Sequence, residues 1–172
     1  MKELILGGIR SGKSRFAEQR ALTSQRPITY IATALARDEE MRRRIAEHQA
    51  RRPASWTVVE EPLALAGALR AHVSSERCVM VDCLTLWLTQ LLCAGDDRFA
   101  REREALLAVL PQVDGHVILV SNETGLGIVP LGELSRRFCD EAGRLHQDLA
   151  QICDRVFFTV AGLPQVLKGA AL

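Results

Sequence analysis

Short apolar runs recur along the chain, and longer amphipathic or polar stretches separate them. Most of these runs are continuously apolar, which is typical of strands that are buried on both faces of a sheet. We therefore predict that the runs are β-strands. They are ELIL near the start, ITYIA at 28–32, WTVVE at 56–60, CVMVD at 78–82, HVILVS at 116–121 and RVFFTV at 155–160.

The stretches between the runs carry helical patterns. Helices are predicted over residues 13–24, 63–72 and 134–153, the last with one apolar face at helical periodicity. That face consists of Phe138, Ala142, Leu145, Leu149 and Ile152. Alternating strands and helices predict an α/β fold, a mostly parallel sheet flanked by helices, in a single domain over 1–172. Ligands of such sheets bind beyond the carboxyl ends of the strands.

Composition narrows the class of protein only slightly. The chain has 172 residues, 48% hydrophobic and 25% charged, as in an ordinary globular protein. Its net charge of +1 argues against a general nucleic-acid-binding protein, which usually has a basic excess. The five cysteines show no CxxC spacing, and no signal peptide or membrane-spanning run is recognised. We therefore expect a protein of the reducing cytoplasm with no membrane span.

The loop after the first strand reads GGIRSGKS and matches the pattern G-x-x-x-x-G-K-[ST] in full. Backbone N–H groups in such a P-loop surround phosphates, and the following helix N-terminus adds partial positive charge. Lys13 is expected to reach the β- and γ-phosphates of a nucleotide, and Ser14 to bind Mg²⁺. The alternative is a glycine-rich turn that binds nothing. The predicted nucleotide contacts are Gly7, Gly8, Ile9, Arg10, Ser11, Gly12, Lys13 and Ser14.

An acidic residue on another strand is the second expected part of the phosphate site. P-loop enzymes place an acidic residue at the end of another buried strand, where it holds Mg²⁺ directly or through water. In the run CVMVD this residue is Asp82. The alternative is that Asp82 caps a helix starting near Leu84, because aspartate is a favoured N-cap residue. Its position at the end of a strand favours metal binding.

A nucleotide-dependent switch fits the sequence less well than a small-molecule kinase does. A switch GTPase normally carries an NKxD guanine motif and a DxxG switch, but here the corresponding segments read SNETG and DCLT. A nucleotide-dependent switch or scaffold therefore becomes a weaker hypothesis. The arginines of 37–52 are suited to a lid over a nucleotide, because the planar guanidinium pairs with phosphate oxygens.

The segments GGIRSGKS, YIATA, RIAEHQARRPASW, VMVDCLTLWLTQLL and SNETGLGIVPLGELSRRFCDEAGRLHQDLA occur in this order over nearly the whole chain. Together they resemble the bifunctional adenosylcobinamide kinase/adenosylcobinamide-phosphate guanylyltransferase family of cobalamin synthesis. The resemblance implies that ATP or GTP phosphorylates adenosylcobinamide. GTP then donates GMP to the new phosphate, giving adenosylcobinamide-GDP. A kinase without the transferase step is the alternative. The resemblance also implies a homo-oligomer, and the P-loop motif with Asp82 predicts Mg²⁺.

The resemblance further implies roles for individual residues. The histidine that carries GMP falls on His48. With Lys13 of the P-loop motif, it makes up the predicted catalytic pair of residues. Beyond the P-loop, the implied nucleotide contacts are Ala32, Thr33, Ala34, Gln49, Ala50, Arg51, Arg52, Glu60 and Asp82. In the late motif, Cys139 and His146 stand where an arginine and an asparagine are common, so contacts with the substrate there differ.

The residues around His48 are compatible with this role but do not require it. In a helix over 38–50, Met41, Ile45 and His48 share one face. A neutral imidazole can attack the α-phosphorus of GTP, and nearby arginines can stabilise the transition state. The arginines within four residues are Arg44, Arg51 and Arg52. On local pattern alone, a structural histidine is the stronger interpretation, and the resemblance reverses this order.

The other histidines are predicted to be structural. His72 ends a helix, His116 begins a strand, and His146 lies off the apolar stripe of its helix and is expected to be solvated. The loop SNETGLGIVP carries two glycines and a proline, which predicts a fixed backbone path near a ligand. Asn122 and Glu123 are therefore expected to help to shape the active site.

Overall fold

A computed structural model describes residues 1–36, 38–51 and 53–170, with backbone only for Arg44, Glu47, His48 and Arg51. Strands and helices alternate along most of these ranges, as predicted, but α5 follows α4 directly and β7 follows β6. The strands are β1 (Lys2–Gly7), β2 (Ile28–Ala32), β3 (Thr57–Glu60), β4 (Cys78–Asp82), β5 (His116–Asn122), β6 (Arg155–Val160) and β7 (Leu163–Lys168). The helices are α1 (Lys13–Thr23), α2 (Glu39–Arg51), α3 (Leu65–His72), α4 (Leu84–Ala94), α5 (Asp96–Val109) and α6 (Glu133–Ile152).

The seven strands form one sheet in the order β3-β2-β4-β5-β1-β6-β7. All neighbouring strands are parallel except β6 and β7, which are antiparallel. The predicted α/β fold with a mostly parallel sheet is therefore confirmed. Because β1 lies between β5 and β6, the loop that follows β1 is surrounded by the carboxyl ends of its neighbours.

The two faces of the sheet are covered unequally. Helices α3, α4, α5 and α6 bury their apolar residues against one face, around the fully buried Trp87 and Leu145. On the other face, α1 packs Phe16, Ala17 and Ala21 against the apolar side chains of β1, β4, β5 and β6. The helix that follows the P-loop therefore lies on the central strands and is anchored by burial along its length.

A buried ion pair ties α1 to β1 away from the P-loop. Glu3 is fully buried, and Arg20 Nε donates a hydrogen bond to Glu3 Oε2 at 3.0 Å. His116 Nε2 lies 3.8 Å from the same oxygen. Burial by itself would raise the pKa of Glu3, but the interactions with His116 and Arg20 outweigh it and lower the pKa to about 2. The carboxylate therefore stays charged and joins β1, which precedes the P-loop, to α1, which follows it.

Strand β7 and helix α5 are elements that the apolar pattern did not predict. Strand β7, with the sequence LPQVLK, is an edge strand whose side chains are mostly exposed, so it lacks a continuous apolar run. Helix α5 begins with charged residues and buries only Phe99, Leu106 and Val109. Within the ranges that the structure describes, no helix is both long enough and apolar enough to cross a bilayer.

Candidate active site

A cavity of about 810 Å³ opens beyond the carboxyl ends of β1, β2, β4 and β5. Most residues that were predicted to bind the nucleotide contribute to its wall. Those that line it are Ile9, Arg10, Ser11, Gly12, Lys13, Ser14, Ala32, Ala34, Gln49, Glu60 and Asp82, together with Asn122. Further apolar lining comes from Tyr30, Leu35, Met41, Ile45, Val58 and Leu86. The cavity therefore joins a polar P-loop end to an apolar wall.

The backbone of the P-loop explains two of its glycines. Gly12 has a left-handed backbone with φ of 93°, and a Cβ there would lie 2.9 Å from the Cα of Gly162. A Cβ on Gly7 would lie 2.6 Å from the carbonyl oxygen of Thr159. Around Gly8 there is open space within 4 Å, so packing does not require glycine there. Close approach of the backbone to a bound phosphate remains the predicted reason for Gly8.

Hydrogen bonds hold the P-loop in its curved path. The N–H of Ser11 donates to the Gly8 carbonyl at 3.3 Å, and the N–H of Gly162 donates to the Ser11 carbonyl at 2.8 Å. Lys13 Nζ donates to the Gly8 carbonyl at 3.1 Å, so the ammonium group lies over the loop. Helix α1 begins at Lys13 and has no acidic residue in its first turn. Its positive N-terminal end is therefore left for an anion.

Asp82 has the features of a metal ligand rather than of a helix cap. Its Oδ2 atom is buried and accepts no hydrogen bond from any residue that the structure describes. The N-cap position of α4 is Cys83, without a side-chain capping bond, so the cap alternative for Asp82 is not supported. Ser14 and Asp82 line the same cavity. A hydroxyl and a carboxylate offer the hard oxygen atoms that Mg²⁺ prefers, so both residues fit this ion.

Cys83 and Thr33 shape the site without offering it a reactive group. Burial raises the pKa of the Cys83 thiol to about 11, so the thiol is neutral at pH 7. Thr33 was predicted to contact the nucleotide, but its buried hydroxyl donates to the Cys83 carbonyl at 2.7 Å and accepts from the Cys83 N–H at 2.9 Å. Its side chain therefore joins the loops after β2 and β4 instead of lining the cavity.

Helix α2 reaches the cavity through one face. Met41, Ile45 and Gln49 line the cavity at intervals of one helical turn. The helix begins after Asp38, whose Oδ1 accepts the Met41 N–H at 2.7 Å as an N-cap. The helix that was considered over 38–50 is present at Glu39–Arg51.

Three of the predicted catalytic or nucleotide contacts are not settled by this arrangement. The side chains of His48 and Arg51, and the whole of Arg52, lie outside the part of the chain that the structure describes. Only the backbone of His48 is placed, within α2 and directly before Gln49. Ala50 is exposed, and neither it nor the predicted contacts Gly7 and Gly8 line the cavity.

The expectation that His146 is solvated is wrong. Its side chain is buried, with Nε2 2.8 Å from Ser121 Oγ and Nδ1 3.6 Å from Glu123 Oε2. Burial lowers the pKa of His146, and the nearby Glu123 carboxylate opposes this effect only in part. The position follows the buried Ala142 by one turn and therefore lies at the edge of the apolar stripe. The end of β5 covers this edge.

Two solved structures share the architecture. RadB recombinase matches with a TM-score of 0.50 and 19% identity, over 91% of this chain and 73% of that chain. A Pyrococcus horikoshii OT3 protein from a structural study matches with a TM-score of 0.60 and 9% identity, over 99% of this chain and 87% of that chain. At such low identities the likeness concerns the fold alone.

Comparison with curated proteins is more specific. The bifunctional adenosylcobalamin biosynthesis protein CobP of Pseudomonas aeruginosa is 64% identical over 173 residues, which cover the full length of both chains. The protein CobU of Salmonella typhimurium, with the same description, is 38% identical over 98% of this chain and its own full length. A sequence model of one family matches residues 3–167. The chain therefore belongs to the cobinamide kinase / cobinamide phosphate guanyltransferase family.

Proposed function

We propose that the chain catalyses two consecutive reactions on a corrinoid. It first phosphorylates adenosylcobinamide with a nucleoside triphosphate, and it then transfers GMP from GTP to adenosylcobinamide phosphate through a guanylylated His48. The observation that carries the proposal is that the P-loop and the helix that bears His48 open on one cavity. Family membership supports both reactions.

The first reaction is phosphoryl transfer. The hydroxyl oxygen of adenosylcobinamide attacks the γ-phosphorus, the bond between this phosphorus and the β-phosphate oxygen breaks, and the hydroxyl proton is lost. Lys13 and the N-terminus of α1 stabilise the charge that moves onto the leaving nucleoside diphosphate. Ser14 and Asp82 would hold Mg²⁺, which supplies charge neutralisation between the phosphates.

The second reaction passes through the enzyme. A ring nitrogen of His48 attacks the α-phosphorus of GTP, and the bond to the β-phosphate oxygen breaks, which releases pyrophosphate. A phosphate oxygen of adenosylcobinamide phosphate then attacks the phosphorus on His48. The P–N bond breaks, adenosylcobinamide-GDP forms, and His48 is restored. The arginines of α2 are suited to stabilise charge on the attacked phosphate, because guanidinium groups pair with phosphate oxygens.

The proposal includes a homo-oligomer. Its support is a row of exposed aliphatic side chains in the loop after β5, since large exposed apolar patches mark interaction surfaces. The residues are Leu126, Ile128, Val129 and Leu131, with exposed fractions of 71–98%.

Labelling with nucleotides tests the proposed function. The chain is incubated with Mg²⁺ and GTP labelled at the α-phosphate, denatured, and examined for label on protein. We expect an adduct that is labile in acid and more durable in base, as a phosphoramidate is. Label at the γ-phosphate should leave no adduct, which separates guanylylation from phosphorylation of the protein. Corrinoid phosphorylation without an adduct would favour the kinase alone, and equal labelling by ATP would remove the specificity for GMP.

A further inference from the structure

A continuous row of polar groups runs behind the cavity at the end of β5. It joins α4, β5 and α6 through Thr85, Ser121 and His146 and then reaches Glu123 in the following loop. Ser121 Oγ lies 3.4 Å from Thr85 Oγ1 and 2.8 Å from His146 Nε2. His146 Nδ1 lies 3.6 Å from Glu123 Oε2, which is beyond hydrogen-bond distance. These groups are not explained by the predicted contacts with nucleotide or metal.

Hydrogen bonding along this row can run in either direction, and the direction toward His146 is favoured because it puts a proton, and not a lone pair, on the ring nitrogen nearest the Glu123 carboxylate. The Asn122 N–H donates to Thr85 Oγ1 at 2.7 Å. Thr85 then has its hydroxyl hydrogen for Ser121, and Ser121 has its own for His146 Nε2. This order requires Nε2 to be an acceptor, which places the imidazole proton on Nδ1, facing the Glu123 carboxylate. Burial lowers the pKa of His146, which favours this neutral form.

Serine, histidine and glutamate also form the nucleophilic triad of many hydrolases, but the burial of Ser121 and His146 excludes that role here. Ser121 is only 2% exposed and His146 only 7%, so no substrate atom can reach the serine hydroxyl. A nucleophile must be accessible to the atom that it attacks. The arrangement therefore acts on the backbone and loop that it holds, and not on a substrate.

What the row holds is the strand end between the two phosphate-binding elements. In the sheet, Ser121 pairs with Leu6 and Asn122 with Gly7. On the other side of β5, Val120 pairs with Asp82. The N–H of Glu123 donates to the Gly7 carbonyl at 3.0 Å, and Asn122 lines the cavity. A shift of this strand end would therefore change the distance between the P-loop and the proposed metal ligand.

We propose that His146 is a positioning residue for phosphoryl transfer, which fixes the end of β5 through its hydrogen bond with Ser121. The inference rests on the proposed function, because phosphoryl transfer depends mainly on alignment and charge. Loss of alignment lowers the rate of the bound complex more than it weakens nucleotide binding. The expected signature is a fall in kcat with little change in KM for the triphosphate.

Variants of His146 and Ser121 test this signature. His146→Leu keeps an apolar volume but removes the acceptor for Ser121, and it should lower kcat for adenosylcobinamide phosphorylation about tenfold. His146→Gln offers an amide oxygen near the position of Nε2 and should recover kcat to within about threefold of the wild type. Ser121→Ala should lower kcat like His146→Leu, and the double variant should lose no more than either alone. His72→Leu, at the end of α3, is the matched control.

Two outcomes would overturn the inference. In the first, His146→Leu lowers the melting temperature but keeps the wild-type kcat, which means that the residue is only structural. If His146→Leu does not fold, a wild-type kcat of Ser121→Ala overturns the inference in the same way. The second measurement needs no corrinoid. In ¹⁵N-histidine NMR at pH 7, the signal lost in His146→Gln should be that of a neutral imidazole with the proton on Nδ1, and a charged ring or the other tautomer would contradict the arrangement. A wild-type chain that does not phosphorylate adenosylcobinamide contradicts the proposed function instead.

Discussion

The P-loop and helix α2 line the same cavity but are held in different ways. The P-loop bonds through its backbone to Gly162, and its first residue, Gly7, accepts the N–H of Glu123. The helix that follows packs three buried residues against the sheet. Helix α2, by contrast, has no buried side chain among those that the structure describes. Met41 and Ile45 are partly buried, and its other described side chains are exposed.

The comparison indicates that the P-loop half of the site is preorganised before a nucleotide binds. A rigid phosphate cradle needs no rearrangement when charge develops, which is the condition for electrostatic catalysis. Helix α2 offers arginines and a histidine on a largely exposed support, and its own residues contribute little to the core. We therefore expect changes in the P-loop to affect both reactions and changes in α2 to affect mainly the transfer of GMP.

The largest expected effect is from His48→Ala. The change removes the proposed nucleophile, so the covalent GMP adduct and adenosylcobinamide-GDP should fall by at least about 10³-fold. Kinase turnover should stay within about tenfold of the wild type, because phosphoryl transfer needs no covalent intermediate. Product analysis and mass spectrometry of the labelled protein measure both. His72→Ala is the control and should be labelled normally. An adduct that persists or maps to another residue would refute the role of His48.

Lys13→Ala should reduce both reactions together. The variant loses the ammonium group over the P-loop, and we expect a fall of about 10²–10³-fold in kcat/KM for each reaction. Steady-state assays of both products at several nucleotide concentrations measure the loss. Lys13→Arg keeps the charge and separates charge from geometry. Full kinase turnover of Lys13→Ala at moderate nucleotide would contradict the P-loop assignment.

Asp82→Asn should have a somewhat smaller effect on the rate. The change keeps the shape but removes the charge that would hold Mg²⁺, so we expect a loss of about 10²-fold that more Mg²⁺ partly restores. Titration of kinase activity with Mg²⁺ measures the shift. Asp97→Asn, an exposed change at the start of α5, is the control. An unchanged Mg²⁺ dependence would remove Asp82 from the metal site.

A pair of glycine variants should have the smallest effect and tests rigidity of the cradle directly. Gly12→Ala introduces a Cβ at positive φ and against Gly162, so stability should fall by about 1–3 kcal/mol. In Gly8→Ala the Cβ meets open space, so stability should change by less than about 1 kcal/mol. Thermal unfolding of the two variants measures the difference. Equal melting temperatures would mean that the loop adapts and is not held as described.

Sequence alone could predict the parts of this molecule that depend on local pattern. The buried strands β2, β4 and β6 were predicted with their final bounds, because each is a continuous apolar run between turns. The P-loop was recognisable because its chemistry needs fixed residue types at fixed spacing. The final position of Asp82 in the cavity followed from its place at the end of a parallel strand.

The features that the sequence did not predict depend on contacts between segments that lie far apart in the chain. His146 is polar and lies at the margin of its apolar stripe, so its burial becomes visible only when the end of β5 is placed against α6. Thr33 looked like a ligand contact, but its hydroxyl bonds to a residue fifty positions later in the chain. Strand β7 is stabilised by pairing with β6 and has little apolar signal of its own.

The contact between Gly162 and the P-loop has a consequence for synthesis of the protein. The P-loop motif is made early, but the N–H group that bonds to Ser11 belongs to the turn between β6 and β7. On the ribosome, the nascent chain therefore exposes a complete P-loop sequence long before that contact can form. Contacts between residues far apart in the sequence form more slowly than local ones, because a long loop must close first. The phosphate cradle reaches its final shape only once Gly162 has emerged, so a nascent chain stopped before this turn carries the motif without the contact that fixes it.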